Sequence, residues 1–247
     1  MKADPTRQNK LLELQQLDTK LAQLDHRAKT LPEHAEVASL AKQQDDLDAE
    51  VVKTETAHGD VKRVLSKAEA DVAVVRERAE RNRKRLDAGQ GSAKDLQGMQ
   101  HELESLARRQ GVLEDEELEV MEQAEIAEAE AESAVKDRDA VVTKLAEVVQ
   151  RRDATLQEIA AEREQVLAGR EDLIIIVGSD LMALYERLRA HSGTGAAPLA
   201  RRCCGGCQIE INPVELSRIK AADEDEVLRC EECSRILVRT PESGLAS

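Results

Sequence analysis

Residues 37–86 read VASLAKQQDDLDAEVVKTETAHGDVKRVLSKAEADVAVVRERAERNRKRL. Taken in alternating steps of three and four, the series Val37, Leu40, Gln44, Leu47, Val51, Thr54, His58, Val61, Leu65, Ala68, Val72, Val75, Ala79, Asn82 and Leu86 is apolar at eleven of its fifteen positions. That spacing keeps one stripe of an α-helix turned toward a partner helix over many turns, which is the pattern of a coiled-coil seam. It predicts one long helix over residues 33–87. The polar seam residues Gln44, His58 and Asn82 read as register-fixing positions.

A shorter seam runs upstream through Leu14, Leu17, Leu21, Leu24, Ala28 and Leu31, out of phase with the first across Pro32. Proline lacks the helix N–H and clashes with the preceding turn, so a helix break is expected near residue 32. Residues 88–93, AGQGSA, concentrate helix breakers and predict a chain reversal. Beyond it the seam resumes at Leu96, Met99, Leu103, Leu106, Gln110 and Leu113 and continues through Val120, Ala124, Ala127, Ala131, Ala134, Val141, Leu145 and Val148. Gln110 joins the register-fixing polar positions. The phase then slips to Leu156, Ile159 and Val166, a stutter that locally unwinds a supercoil. Reversal at the glycines brings position i beside position 181 minus i. The acidic stretch that starts at Glu114 and runs to Glu132 would then lie beside Lys53, Lys62, Arg63 and Lys67. At a rise of about 1.5 Å per residue each arm would reach on the order of 100 Å.

Composition agrees with this architecture. Tyr185 is the only aromatic residue among 247, while 35% of residues are charged. Without Phe or Trp, apolar burial has to come from narrow aliphatic stripes, as in coiled coils and long helices. The net charge of −14 sets the chain as a whole against phosphate backbones and anionic lipid surfaces, so any nucleic-acid contact has to be local. The longest apolar run, LIIIV at residues 173–177, is too short to span a bilayer. No membrane association and no small-molecule substrate are expected. Residues 1–16 are polar with no apolar h-region, and together with the unpaired cysteine count this points to the reducing cytoplasm.

Near the C-terminus, Cys204-Gly-Gly-Cys207 and Cys230-Glu-Glu-Cys233 form two C-x-x-C pairs separated by 22 residues. Each pair can present two thiolates to one ion, and two pairs complete the S4 shell that Zn2+ prefers. Four protein ligands close the shell, so one structural zinc is expected and not a catalytic one. Cys203 offers a C-x3-C alternative with Cys207, but Gly205 and Gly206 suit the tight knuckle of a C-x2-C pair and favour Cys204. Around the cysteines, residues 208–213 and 234–239 alternate as strands and residues 214–221 read as a short helix. Residues 179–189 form an amphipathic helix after Gly178, with Ser179 as candidate N-cap and Leu181, Leu184, Tyr185 and Leu188 on one face, placed to dock the module. The fold class read from these features is mainly α: a long antiparallel coiled-coil hairpin over residues 1–178, then a docking helix and C4 zinc ribbon over 179–247.

Two surfaces are candidates for binding. The hairpin tip carries Arg76, Arg78, Arg81, Arg83, Lys84 and Arg85, followed across the turn by Lys94, Arg108 and Arg109. On an acidic chain this local reversal of sign suits phosphates or an acidic protein. The tip has no aromatic residue on which bases would stack. From residue 191 onward the module has seven Arg or Lys against nine Asp or Glu, which is not a basic footprint.

The long hairpin, Leu184-Tyr-Glu-Arg-Leu-Arg189, Cys204-Gly-Gly-Cys207, Asn212-Pro213 and Cys230-Glu-Glu-Cys233-Ser-Arg-Ile-Leu237 together resemble the bacterial C4-type zinc-ribbon coiled-coil family of the FlgZ and CdsZ kind. The resemblance implies that Cys204, Cys207, Cys230 and Cys233 are the zinc ligands and that Arg235, Ile236 and Leu237 belong to the segment after the second knuckle. It also implies an adaptor or chaperone-like regulator that binds protein partners such as the RpoN sigma factor and secretion components, and in some members RNA. Ser234 and Cys203 depart from the family pattern. The function expected is that of a non-enzymatic zinc-binding adaptor working through its ribbon and hairpin. The alternative is a nucleic-acid-binding regulator using the basic tip and Arg235. An open metal site, a nucleophile elbow and a phosphate-binding glycine loop are all missing from the sequence, which argues against an enzyme.

Overall fold

The computed structural model describes residues 1–245. Four helices, α1 (Pro5–Lys29), α2 (Pro32–Asp87), α3 (Ala93–Val177) and α4 (Ser179–Ser192), precede a small mixed segment of β1 (Ala196–Ala200), β2 (Cys203–Cys204), α5 (Pro213–Ala221), β3 (Leu228–Arg229) and β4 (Ile236–Arg239). By contact the chain forms two compact units, one of residues 1–32 with 151–247 and one of residues 33–150. The ribbon therefore shares its unit with α1, the end of α3 and α4. No helix among the described residues is long and apolar enough to cross a membrane.

In the unit of residues 33–150, α2 and the first part of α3 form the helical hairpin. Seam residues Leu40, Val51 and Val72 on α2, and Leu113, Ala131, Ala134 and Val148 on α3, are its buried apolar side chains. The remaining seam positions stay half-buried, because two helices cover only a narrow stripe of each other. Gln110 satisfies itself by donating from Nε2 to Glu114 at 2.8 Å, whereas Asn82 Nδ2 is buried without a partner.

The reversal differs from a symmetric fold-back about the glycines. The N–H groups of Ala88, Gly89 and Gln90 bond to the carbonyls of Lys84, Leu86 and Arg85, so α2's last turn runs on before the chain bends at Gly91, whose φ is 138°. Ser92 then caps α3 reciprocally with Asp95, its Oγ and N–H lying 2.7 and 3.0 Å from Asp95 Oδ2. One groove is consequently lined by Ala79 and Arg83 with Leu103 and Ala107, and another by His58 with Ala131 and Val135, several residues beyond the expected partners. Among the described residues, the expected ion pairs of the acidic stretch with Lys53, Lys62, Arg63 and Lys67 do not form. Lys53 binds Glu50 at 3.0 Å and Arg63 binds Asp60, both within α2. A carboxylate one turn away is held in place by the helix itself and outcompetes one on the facing helix.

In the other unit the sheet runs β2-β1-β4-β3, with β1 parallel to β4 and the outer pairs antiparallel. Successive strand residues point to opposite faces, so the sheet divides two cores. Ala196, Ile236 and Val238 face Leu11, Leu14, Val177, Leu181, Met182 and Tyr185 of the helices, while Ala197, Leu199 and Leu237 face the cysteines together with Ile211, Ile219 and Leu228. Residues 208–213 do not form the expected strand. Gln208 has φ 61°, outside the β region, and only Glu210 makes a bridge, to Cys203. Ser179 is the first residue of α4 and does not cap it. Gly178 takes that position with φ 81°, and Arg7 of α1 covers it, donating from Nε to the Val177 carbonyl at 2.8 Å and pairing with Asp180 at 2.6 Å.

Tyr185 ties the layers together. Its hydroxyl donates to Asp18 Oδ2 at 2.6 Å, and Asp18 is also held by Arg170 at 2.7 Å. Gln15 Oε1 accepts from the Gly195 N–H at 2.7 Å, locking the lead-in to β1 onto α1. A Cβ at Gly195 would sit 2.5 Å from the Tyr185 ring, so glycine is required there. Replacing Tyr185 with Phe removes one hydrogen bond from a buried carboxylate and is expected to lower stability by about 1–3 kcal/mol, read by urea denaturation, with helical content unchanged. Burial, then the Asp18 hydrogen bond and charge, push the phenol's pKa well above its ordinary value. The unfolded phenol ionises near pH 10 and the folded one does not. Its contribution to stability is therefore complete below about pH 10 and is lost above it. As Tyr185 is the sole tyrosine, its phenolate absorbance should appear only together with unfolding.

Candidate metal centre

Two knuckles of identical hydrogen-bond pattern carry the four cysteines. In the first, the Cys204 N–H bonds to the Ile209 carbonyl at 3.0 Å and the Gln208 N–H to the Cys204 carbonyl at 2.7 Å. In the second, the Cys230 N–H bonds to the Arg235 carbonyl at 3.0 Å and the Ser234 N–H to the Cys230 carbonyl at 2.8 Å. Each turn closes on a left-handed residue, Gln208 at φ 61° and Ser234 at φ 60°. Neither is glycine, so each turn carries strain of about 1–2 kcal/mol.

Both glycines of the first knuckle are required by close approach. A Cβ on Gly205 would lie 2.9 Å from the Pro198 ring, and one on Gly206 would lie 2.8 Å from Arg235 Cδ and 3.0 Å from Ala197 Cβ. The knuckle is thus pressed flat on β1. Arg235 is part of this packing: its Nε donates to Thr194 Oγ1 and its stem covers Gly206. These contacts lie within the unit that holds the ribbon, and Thr194 is a partner that no spacing in the sequence announces.

The sulfur atoms of Cys204, Cys207, Cys230 and Cys233 all lie within 4.8 Å of one another, with Cys204 3.8 Å from Cys233 and Cys207 3.9 Å from Cys230. These separations are far beyond the roughly 2.05 Å of a disulfide. A tetrahedral ion with bonds of about 2.3 Å to sulfur separates its ligands by about 3.8 Å. The cage therefore fits a closed S4 metal site. Cys203 is outside it: the preceding residue on β2, it points to the other side and is half-buried. Burial pushes the Cys204 thiol up to about 12, against backbone N–H groups of Cys207 and Gly206 that favour the thiolate. Burial also raises Cys230. At Cys233 burial acts in the same direction, but the Arg235 N–H and guanidinium and the neighbouring thiols bring it down to about 7. Metal binding would displace these protons.

At the tip, Arg76 pairs with Glu114 at 2.6 Å, Arg78 with Glu102, Arg81 with Glu77 at 3.4 Å and Lys84 with Glu80 at 2.7 Å. Arg83 and Arg85 make no ion pair among the described residues. Besides Arg235, three of the ribbon's cations are committed internally. Arg218 binds Glu215, Arg229 the Ser234 carbonyl, and Arg239 the carbonyls of Ala222, Asp223, Glu224 and Glu226.

Three substitutions separate the roles of these residues, with bound zinc measured by elemental analysis after challenge with a chelator. Cys203→Ser should retain wild-type zinc and Gly206→Ala should lose it faster. Ser234→Gly should retain zinc longer, because glycine relieves the left-handed strain by up to about 1 kcal/mol.

The family model of the CT398-like coiled coil hairpin domain matches residues 14–193, and that of the C4-type zinc ribbon domain matches residues 203–237. An uncharacterised protein of Mycobacterium tuberculosis is 39% identical over 97% of this chain and 98% of its own length. A solved structure from Mycobacterium smegmatis, 39% identical, superposes with a TM-score of 0.79 over 97% of this chain and 100% of that one. CT398 from Chlamydia trachomatis, at 19% identity, shares the fold with a TM-score of 0.59 over 95% of this chain and 98% of its own. With a helical hairpin and a four-cysteine knuckle pair in the places these matches require, the chain belongs to the CT398-like coiled-coil hairpin family, with a C4-type zinc ribbon after the hairpin.

Proposed function

We propose that this chain is a non-enzymatic cytoplasmic adaptor whose ribbon, folded around one structural Zn2+, and whose hairpin are surfaces for protein partners. The observation that carries the reading is the sulfur cage. All four ligands come from the protein at S4 spacing, so the ion has no open position for water or substrate and its work is to fold the ribbon. Cys204, Cys207, Cys230 and Cys233 would hold the ion. When bound it supplies cross-linking and thiolate charge neutralisation, while the chain's own β1, Gly205 and Gly206 set the knuckle's shape.

Protein partners are favoured over nucleic acid by the way the cations are used. Four of the seven basic side chains from residue 191 onward, Arg218, Arg229, Arg235 and Arg239, are bonded within the ribbon. A phosphate-reading surface needs such groups free.

The double variant Cys230→Ser with Cys233→Ser should fall from one zinc per chain to none and lose ribbon structure by NMR, while helical circular dichroism stays nearly unchanged. Zinc retention, or collapse of most of the helicity, would defeat the structural-zinc reading. In cells, cross-links from the ribbon of the wild-type chain should reach proteins and disappear in the double variant. Cross-links to RNA alone would replace the adaptor reading with the nucleic-acid one.

A further inference from the structure

The turn between β1 and β2 carries two cations where glycine is the usual resident. Arg201 and Arg202 are exposed, and neither side chain has an ion pair among the described residues. Their backbones are left-handed, at φ 48° and 64°. A two-residue hairpin turn needs that conformation at both central positions and is usually filled by asparagine, aspartate and glycine. An arginine Cβ is strained there, and strained backbone of this kind gathers at ligand sites. The two N–H groups donate to the Glu242 and Ser243 carbonyls at 2.8 and 3.0 Å, so the turn also holds the segment after β4 in place.

That segment walls two adjoining cavities. The smaller, about 200 Å³, is lined by Arg202, by Leu216 of α5 and by Leu245. The larger, about 520 Å³, opens between the first two turns of α1, the end of β4 and residues 240–245, and Lys220 and Leu245 line both. A volume of that order suits a ligand site. Two polar side chains on its wall are more than nine-tenths buried, Gln8 at 4% and Ser243 at 6% accessible. Gln8 commits its Nε2 to the Ala3 and Glu224 carbonyls at 2.8 and 3.2 Å, while its Oε1 and the Ser243 Oγ have no hydrogen bond among the described residues.

We propose that this groove is where the ribbon holds its protein partner, which enters as an extended peptide segment of alternating acidic and aliphatic side chains. The proposal rests on the adaptor reading and adds the chemistry of the partner. An amide oxygen that accepts and a hydroxyl that donates match the N–H and C=O of a peptide main chain. Pro5, Pro241 and Leu245 give aliphatic side chains apolar walls. Arg202, Lys220 and Arg239 set three cations against one carboxylate, Glu224, on a chain of net charge −14. This local reversal of sign selects acidic side chains. RNA fits the groove poorly, since Glu224 stands on its wall and no aromatic ring is there for a base to stack on.

The test is fluorescence anisotropy on the full zinc-loaded chain with labelled probes: the hexapeptide Glu-Leu-Glu-Leu-Glu-Leu, its counterpart with lysine for glutamate, and hexauridylate RNA. The acidic peptide should bind saturably and the other two at least tenfold more weakly. Arg201→Gly with Arg202→Gly should weaken the acidic peptide at least tenfold. The same variant should keep its urea midpoint at or above that of wild type, because glycine relieves both left-handed positions. Asn9→Glu, an exposed change on the α1 wall, should also weaken the acidic peptide at least tenfold. A wild type that does not bind the acidic peptide at millimolar concentration overturns the proposal. So does binding that either variant leaves unchanged, or tighter binding of the lysine peptide or the RNA. A lower urea midpoint in the glycine variant overturns it too, since the arginines would then serve the fold and not a ligand. Zinc content and the cellular cross-links report on the adaptor reading independently of this peptide, so the two failures can be told apart.

Discussion

Four sulfur atoms within 4.8 Å of one another are the constraint on which the ribbon depends. Its sheet has strands of five, two, two and four residues, too little ladder to hold together by itself. Of the eight residues in the core beneath it, two are cysteines. With so little apolar area, a metal held between the knuckles would supply the cross-link that packing does not, as in other small domains that fold on a metal. The flat first knuckle follows from the same need, since Gly205 and Gly206 let the sulfur-bearing turn come within side-chain contact of β1.

The opposite face of the sheet is organised by a buried charge. Asp18 is nearly inaccessible and survives there because Arg170, Tyr185 and, at 3.6 Å, Arg189 surround it. A carboxylate so enclosed is costly to break and therefore specifies one arrangement of α1, α3 and α4. Gln15, one turn before it, carries that arrangement into the ribbon by accepting the Gly195 N–H. The first residues of the chain reinforce it. The Ala3 N–H bonds to the Asp225 carbonyl at 2.7 Å and the Val227 N–H to the Met1 carbonyl at 3.0 Å. The ribbon is thus held by α1 as much as by the α4 helix that precedes it.

In the hairpin unit, with no aromatic side chains, the seam buries aliphatic and alanine surface only, and polar interactions decide detail. Short-range ion pairs within one helix prevail over cross-helix pairs because the backbone fixes their distance in advance. Arg76 with Glu114 and Arg78 with Glu102 are the exceptions, where long guanidinium side chains near the tip reach across. The acidic middle of α3 is left largely without partners of its own.

Reading the sequence alone recovers whatever is periodic or local. The heptads of residues 37–86 and 96–148 set the helices and their buried stripe, Pro32 and residues 88–93 set the breaks, and two C-x-x-C pairs with Gly-Gly between one of them set the sulfur cage and the choice of Cys204 over Cys203. These follow from spacing along the chain, because a helix or a knuckle is determined by neighbours within a few residues. What only the tertiary structure decided is long-range. Gln8, Leu11, Gln15 and Asp18 lie at helical spacing but look like a solvated face, and nothing local reveals that Tyr185 and Gly195, some 170 residues on, desolvate them. The left-handed turns at Gln208 and Ser234, the internal role of Arg235 and the offset of the hairpin arms have the same origin. Each depends on which surfaces meet in space, and polar residues reveal burial only when their distant partners are known.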